Sequence, residues 1–124
     1  NDPLDPAESW DELLAWADGA TIRDASGIQQ LGFYVSSFDF NRTNFFNRLV
    51  EANGGQMFSD DGPTATMNAP EAVEAAVFFQ RLVECCAVPG AIEADTIGLG
   101  QGRTAMIHRG LTISDRAITR MVMV

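Results

Sequence analysis

Residues 68 to 86, NAPEAVEAAVFFQRLVECC, constrain the fold of this chain more than any other stretch. Asn68 can accept a backbone hydrogen bond at a helix start, and the carboxylate of Glu71, three residues on, can reach back to the cap's amide. Pro70 falls in the first turn, where its missing donor costs little. At about 100° per residue, Ala72, Ala75, Phe79, Leu82, Val83 and Cys86 share one stripe, with Glu74, Arg81 and Glu84 opposite. Val73, Val77 and Phe78 interrupt the polar side. The spacing therefore predicts a central helix packed on a sheet, with a second contact covering Val73 and Val77.

A chain of 124 residues fits a single domain, 1–124. Its apolar content of 46% is ordinary for a globular protein. No apolar run approaches the roughly 18 residues of a membrane helix. Seventeen acidic against eight basic residues give a formal charge of −9, which repels phosphate backbones and anionic membranes. With no Lys/Arg cluster to offset that charge, nucleic acid is not an expected partner. Cys85 and Cys86 are adjacent, and joining them needs a strained ring of about eight atoms, so they read as small buried residues at a helix end. There is no CxxC pattern, and His108 lacks metal-ligand neighbours at a telling spacing, so neither metal nor cofactor is expected. The chain starts at Asn1 without an initiator Met or a leader, which reads as a processed form or an excised piece.

Residues 1 to 8 carry two prolines and read as an extended lead-in. Ser9-Trp10-Asp11-Glu12 has the S-x-x-E form of a capping box, and Trp10, Leu13, Leu14 and Ala17 follow at the spacing of a buried helix face that Gly19 ends. Residues 20 to 29 are polar and turn-like. Leu31 to Val35 has the β-branched and aromatic content of a buried strand. Ser36 to Asn44 mixes aromatic, amide and charged side chains and reads as a strand-to-helix loop. A helix starting at Asn41 or Thr43 then places Phe45, Phe46, Leu49 and Val50 on one side and closes at Asn53-Gly54-Gly55. Ser59-Asp60-Asp61-Gly62-Pro63 is a turn signal between short extended segments. Beyond the central helix, Val88-Pro89-Gly90 breaks the pattern. A shorter helix over 91–100 ends at Gly100 or Gly102, Thr104 to His108 is the second strand, and Thr112 to Thr119 is a last short helix before an apolar MVMV tail. The fold class is α/β, a small mixed sheet flanked by several helices.

Catalytic readings are weak. Asp60 and Asp61 beside Gly-Pro read as a solvated turn. Ser36 and Ser37 lie in no G-x-S-x-G elbow that would pair them with His108. Gly98-Leu99-Gly100-Gln101-Gly102 lacks the P-loop lysine and precedes a strand, so it reads as a helix terminator. No enzyme is expected. Asn41-Arg42-Thr43 matches a glycosylation sequon, a short pattern that means little by itself. The segment around Phe38 and Phe40, flanked by Asp39, Asn41, Arg42 and Asn44, combines an apolar surface with amide, carboxylate and guanidinium groups, the mixture that sugar sites use.

Four landmarks, in order, carry a resemblance: Ser9-Trp10-Asp11-Glu12-Leu13, Asn53-Gly54-Gly55, the segment from Asn68 to Ala75, and Gly102-Arg103-Thr104-Ala105-Met106. Together they span nearly the whole chain, which resembles the extracellular solute-binding proteins of sugar ABC importers, the broad class that includes maltose-binding protein. The resemblance implies two α/β lobes closing on a ligand by hinge motion, as in type II periplasmic binding proteins. This chain matches the second, C-terminal lobe only; a first lobe would precede residue 1 and recur after residue 124. It implies a sugar ligand, ABC transporter membrane subunits as partners, and a periplasmic or extracytoplasmic location. It also implies sugar contacts from Asp39, Phe40, Arg42 and Asn44, with more from the turn at Gly110 to Thr112. Where the family often has Gly-Pro-Trp at that turn, with the Trp stacking on a sugar ring, this chain has Gly110-Leu111-Thr112.

Two functions follow. The first is a carbohydrate-binding lobe of an importer's substrate-binding protein, without catalysis. The second is a stand-alone lobe whose face toward the missing lobe mediates self-association as a homodimer, through the apolar central helix and the MVMV tail. The clamshell reading requires Phe33 and Met106 to lie in one sheet and the long helix after Pro70 to belong to the core.

Overall fold

The computed structural model describes residues 7–35, 39–87 and 99–107, and of 39–41 the backbone only. Ser9, in extended conformation, caps helix α1 (Trp10–Ala20): its hydroxyl accepts from the Glu12 amide at 3.2 Å. The Glu12 carboxylate accepts from the Glu8 amide at 2.9 Å, so the box closes one residue further out than at Ser9 itself. The helix runs past Gly19 and stops at Thr21, whose amide donates to the Asp18 carbonyl and whose hydroxyl donates to the Ala17 carbonyl at 2.7 Å. Of the expected buried face, Ala17 is fully buried, while Trp10, Leu13 and Leu14 are half-buried.

The described residues form an α/β fold of three helices and a small mixed sheet. They fall into two compact units, one within 1–35 and 82–124, the other within 36–81. In the first unit the sheet runs in the order β1 (Ile22–Asp24), β2 (Gly27–Tyr34), β3 (Thr104–Ile107). β1 and β2 form an antiparallel hairpin; β2 and β3 are parallel, with Leu31 opposite Thr104, Phe33 opposite Met106 and Tyr34 opposite Ile107. Phe33 and Met106 thus share one sheet, as the clamshell reading requires.

The polar, turn-like stretch at 20–29 is in fact this hairpin. All three residues of β1 are exposed and the first half of β2 reads Gly-Ile-Gln-Gln, so no apolar alternation marks either strand. What shapes it is the turn: Asp24 accepts from the Ser26 amide at 2.8 Å and the Ser26 hydroxyl at 2.6 Å, a side-chain turn that holds Ala25 and Ser26 at the tip. From Leu31 to Val35 every residue is buried, and Leu31 and Tyr34 pack with Ile28 and Ile107. Gly32 lies tight against α1, where a Cβ would meet the Ala17 carbonyl oxygen at 1.7 Å; its amide donates instead to the Thr21 hydroxyl at 3.1 Å.

In the second unit, helix α2 spans Asp39–Ala52 and buries Phe45, Leu49 and Val50. Its end is a Schellman motif: the Gly55 amide donates to the Val50 carbonyl at 2.9 Å and the Gly54 amide to Glu51 at 3.0 Å, with Gly54 at φ +80°. Asn53 donates to the Glu71 carbonyl at 3.0 Å and the Glu74 carboxylate at 2.9 Å, fixing the loop to the start of the next helix. A Cβ on Gly55 would come within 2.9 Å of Val50 and 3.0 Å of Glu71, so both glycines of Asn53-Gly54-Gly55 are required, for different reasons. Between the helices Phe58 and Ala65 form a single antiparallel bridge over the Ser59–Gly62 turn, where the Gly62 amide reaches the Ser59 carbonyl at 2.8 Å.

Helix α3 (Pro70–Cys86) begins one residue later than an Asn68 cap requires, with the Ala72 and Val73 amides both bonded to the Ala69 carbonyl. Its buried residues are Ala72, Ala75, Phe78, Leu82 and Cys86, so the long helix belongs to the core. Phe78 takes the buried place expected of Phe79. At about 100° per residue Phe79 lies near the centre of the stripe and Phe78 about a quarter turn from it, so the packing shifts the buried face toward Phe78 against what periodicity alone favours. Phe79 is half-buried and packs at ring-centroid distances of 5.9 Å from Phe45 and 6.1 Å from Phe46. The expected second contact over Val73 and Val77 is not found among the described residues: they are 49% and 52% exposed. At the helix end the sulfurs of Cys85 and Cys86 are joined in a disulfide, where the sequence reads as two unpaired cysteines. Leu99 and Gly100 are helical and Gly102 takes φ +71°, which fits a helix terminator before β3. The helix break at 88–90, most of the helix expected at 91–100, the helix at 112–119 and the terminal tail lie outside the described residues.

Candidate functional site

The expected sugar loop at 36–44 is helical from Asp39 onward. Asp39, Phe40, Arg42 and Asn44 therefore occupy the first turns of α2, not a loop. The cause is local: residues 36–44 contain neither glycine nor proline, so nothing in the stretch interrupts a helix. Helical spacing then sorts the four residues. Positions 40 and 44 are one turn apart on one face, while position 42 shares its face with Phe45, Phe46 and Leu49. Arg42 is accordingly half-buried and Asn44 exposed. The backbone of α2 places positions 40 and 44 on one side and position 42 on another. Gly110 and Thr112 lie outside the described residues, as do Ser36, Ser37 and His108.

One residue on that side was not anticipated. Asn47 continues the Phe40 and Asn44 face by one more turn, and its Oδ1 is buried with no hydrogen-bond partner among the described residues. A buried amide oxygen without a donor costs roughly 1–3 kcal/mol, which sets Asn47 apart from the other polar residues of α2. The sequence signal was an amide three residues after Asn44, overlooked because the neighbouring Phe45 and Phe46 mark the stretch as core.

Chain direction adds a second feature. β2 and β3 are parallel and in register up to Tyr34 and Ile107, so both strands present their carboxyl ends side by side. Ligands of open α/β sheets bind outside the carboxyl ends of parallel strands.

Other polar groupings fit structural roles. Asp60 and Asp61 are exposed, and the Ser59 hydroxyl donates to the Asp61 carboxylate within the turn. Asp24 has its carboxyl held below the usual aspartate range, first by the Ser26 hydroxyl and amide and further by Gln29 and Gly27. Gln29 reaches Asp24 at 3.1 Å, so the tip of the hairpin carries a closed hydrogen-bond set.

Comparison with models of known protein families finds none that this chain matches. No helix among the described residues is long and apolar enough to cross a membrane.

Proposed function

We propose that this chain is a carbohydrate-binding lobe of a two-lobed solute receptor serving an ABC importer, and that it binds its ligand without transforming it. The observation that carries the reading is the parallel register of Phe33 with Met106, which sets the carboxyl ends of β2 and β3 together just before the segments that resemble sugar-contacting regions. Phe40, Asn44 and Asn47 on one face of α2 offer a ring for a sugar's C–H surface and two amides for its hydroxyls. The resemblance adds Asp39, Arg42, Gly110 and Thr112 to the ligand set, of which Arg42 stands on another face of α2 from positions 40 and 44. The partners are a sugar and the importer's membrane subunits, and the location is periplasmic or extracytoplasmic.

A micromolar two-lobed receptor holds about −8 kcal/mol of binding energy. One wall of the cleft supplies about half, so this lobe by itself binds at about millimolar affinity. The test is a titration of the isotopically labelled chain with neutral oligosaccharides, followed by amide NMR. Saturable shifts at residues 40, 44 and 47 with millimolar affinity support the reading. Shifts elsewhere only, or none, refute it, and micromolar binding refutes the half-cleft estimate.

A second reading has its own support. Val73 and Val77, one turn apart on α3, are about half exposed, the arrangement expected of a helix face that meets another protein. On that reading the lobe self-associates and retains no sugar binding. Sedimentation equilibrium separates the two, since a monomer at high concentration removes the second.

A further inference from the structure

The end of α3 meets the α1 terminus and the β1 strand at one place within the first unit. Cys85 and Cys86 are neighbours there, and their sulfurs and a carboxylate oxygen of Asp18 all lie within 4.8 Å of one another. Cys86 is fully buried, Cys85 half-buried and Asp18 exposed, so the group opens to solvent on the Asp18 side. Arg23 organises it: its guanidinium donates to the Cys85 carbonyl and lies 3.5 Å from the Asp18 carboxylate. That last distance is at the limit of a hydrogen bond, so Arg23 leaves Asp18 lone pairs for another partner.

We propose that Cys85, Cys86 and Asp18, once the two sulfurs are reduced, form a three-ligand site for a thiophilic divalent cation of the zinc or cadmium kind. Two thiolates and one carboxylate are a donor set that d¹⁰ cations accept, with water completing four-coordination on the exposed side. Reduction frees the two sulfurs to move to the separation of a little under 4 Å that a metal bound to two thiolates at about 2.3 Å requires. The metal also closes a larger ring than the direct S–S bond does, which suits adjacent residues of a helix.

The chemistry balances in two steps. A dithiol reductant breaks the Cys85–Cys86 bond, transferring two electrons and two protons to the sulfurs and closing to its own cyclic disulfide. The divalent cation then displaces the two thiol protons to solvent and takes the Asp18 carboxylate as third ligand. No part of the sugar-binding reading enters.

The test uses the full chain, reduced with a dithiol, freed of it without air, and titrated with cadmium alone. Expected are a sulfur-to-cadmium charge-transfer band that saturates at one ion per chain, two protons released per ion, and loss of the band in the oxidised chain. Loss of even an outer partner of a metal ligand typically weakens binding about 10–100-fold, so removing a direct ligand by Asp18→Asn, at an exposed position, is expected to weaken cadmium at least about tenfold while circular dichroism stays unchanged. Absence of the band at stoichiometric cadmium overturns the site. Full-strength binding by Asp18→Asn overturns the role of the carboxylate.

Discussion

Phe33 and Met106 are register partners in the parallel pair β2 and β3, although the described residues between them include helices α2 and α3. Parallel strands cannot be joined by a tight turn, and here everything from Val35 to Arg103 is the crossover. The Leu31 amide locks the far end of the ladder by donating to the Arg103 carbonyl at 2.9 Å. The sheet therefore depends on a few fully buried side chains. Leu31→Ala is expected to cost about 2–5 kcal/mol, the range for emptying a buried leucine site, read as a lower urea midpoint with unchanged slope.

Two glycines close to the same helix should behave oppositely. A Cβ on Gly32 would lie 1.7 Å from the Ala17 carbonyl oxygen, so Gly32→Ala forces α1 away from β2 and is expected to destabilise by about 1–3 kcal/mol or more. Gly19, inside α1, has no neighbouring atom within 4 Å of where its Cβ would stand. Gly19→Ala is expected to stabilise by about 0.5–1 kcal/mol by raising helix propensity and restricting the unfolded chain. Thermal melts of the two variants should move in opposite directions.

The helices were the most legible part of the sequence, because capping and termination are local chemistry. Ser9 with Glu12 marked the start of α1, and Asn53-Gly54-Gly55 marked the end of α2 in a motif that backbone geometry nearly dictates. The β1–β2 hairpin was not legible, since Ile22, Arg23 and Asp24 are all exposed and pair through backbone groups that no side-chain pattern reports. The site was partly legible. The composition of residues 39–44 singled out the stretch, but the helix begins at Asp39 and not at Asn41 or Thr43, and helical spacing then sets position 42 apart from positions 40, 44 and 47.

The hairpin tip gives a pH dependence with a definite sign. The Asp24 carboxyl is held below its ordinary value of about 3.9 by the Ser26 hydroxyl and amide, so the folded state binds its proton less readily than the unfolded chain. Its contribution to stability is complete above the unfolded value and is lost as pH falls through the folded one. Asp24→Asn should therefore remove part of the acid sensitivity between about pH 4 and lower values while leaving stability at neutral pH slightly reduced. Urea midpoints measured across that acid window decide it, and identical pH profiles for the two chains would refute the assignment.

Val77 separates the two readings of function by a single substitution. It is 52% exposed, so replacing it removes little buried surface and should change stability by no more than about 0.5 kcal/mol. Glutamate suits the position because Arg81 stands four residues later on the same face, an arrangement worth about 0.2–0.5 kcal/mol to a helix. If α3 self-associates through Val73 and Val77, Val77→Glu places a charge in the contact and shifts sedimentation equilibrium toward monomer. If the lobe is a monomeric sugar binder, sedimentation is unchanged, and so are the sugar-induced shifts at residues 40, 44 and 47, which lie on a different helix. Loss of those shifts in Val77→Glu would count against placing the sugar face on α2.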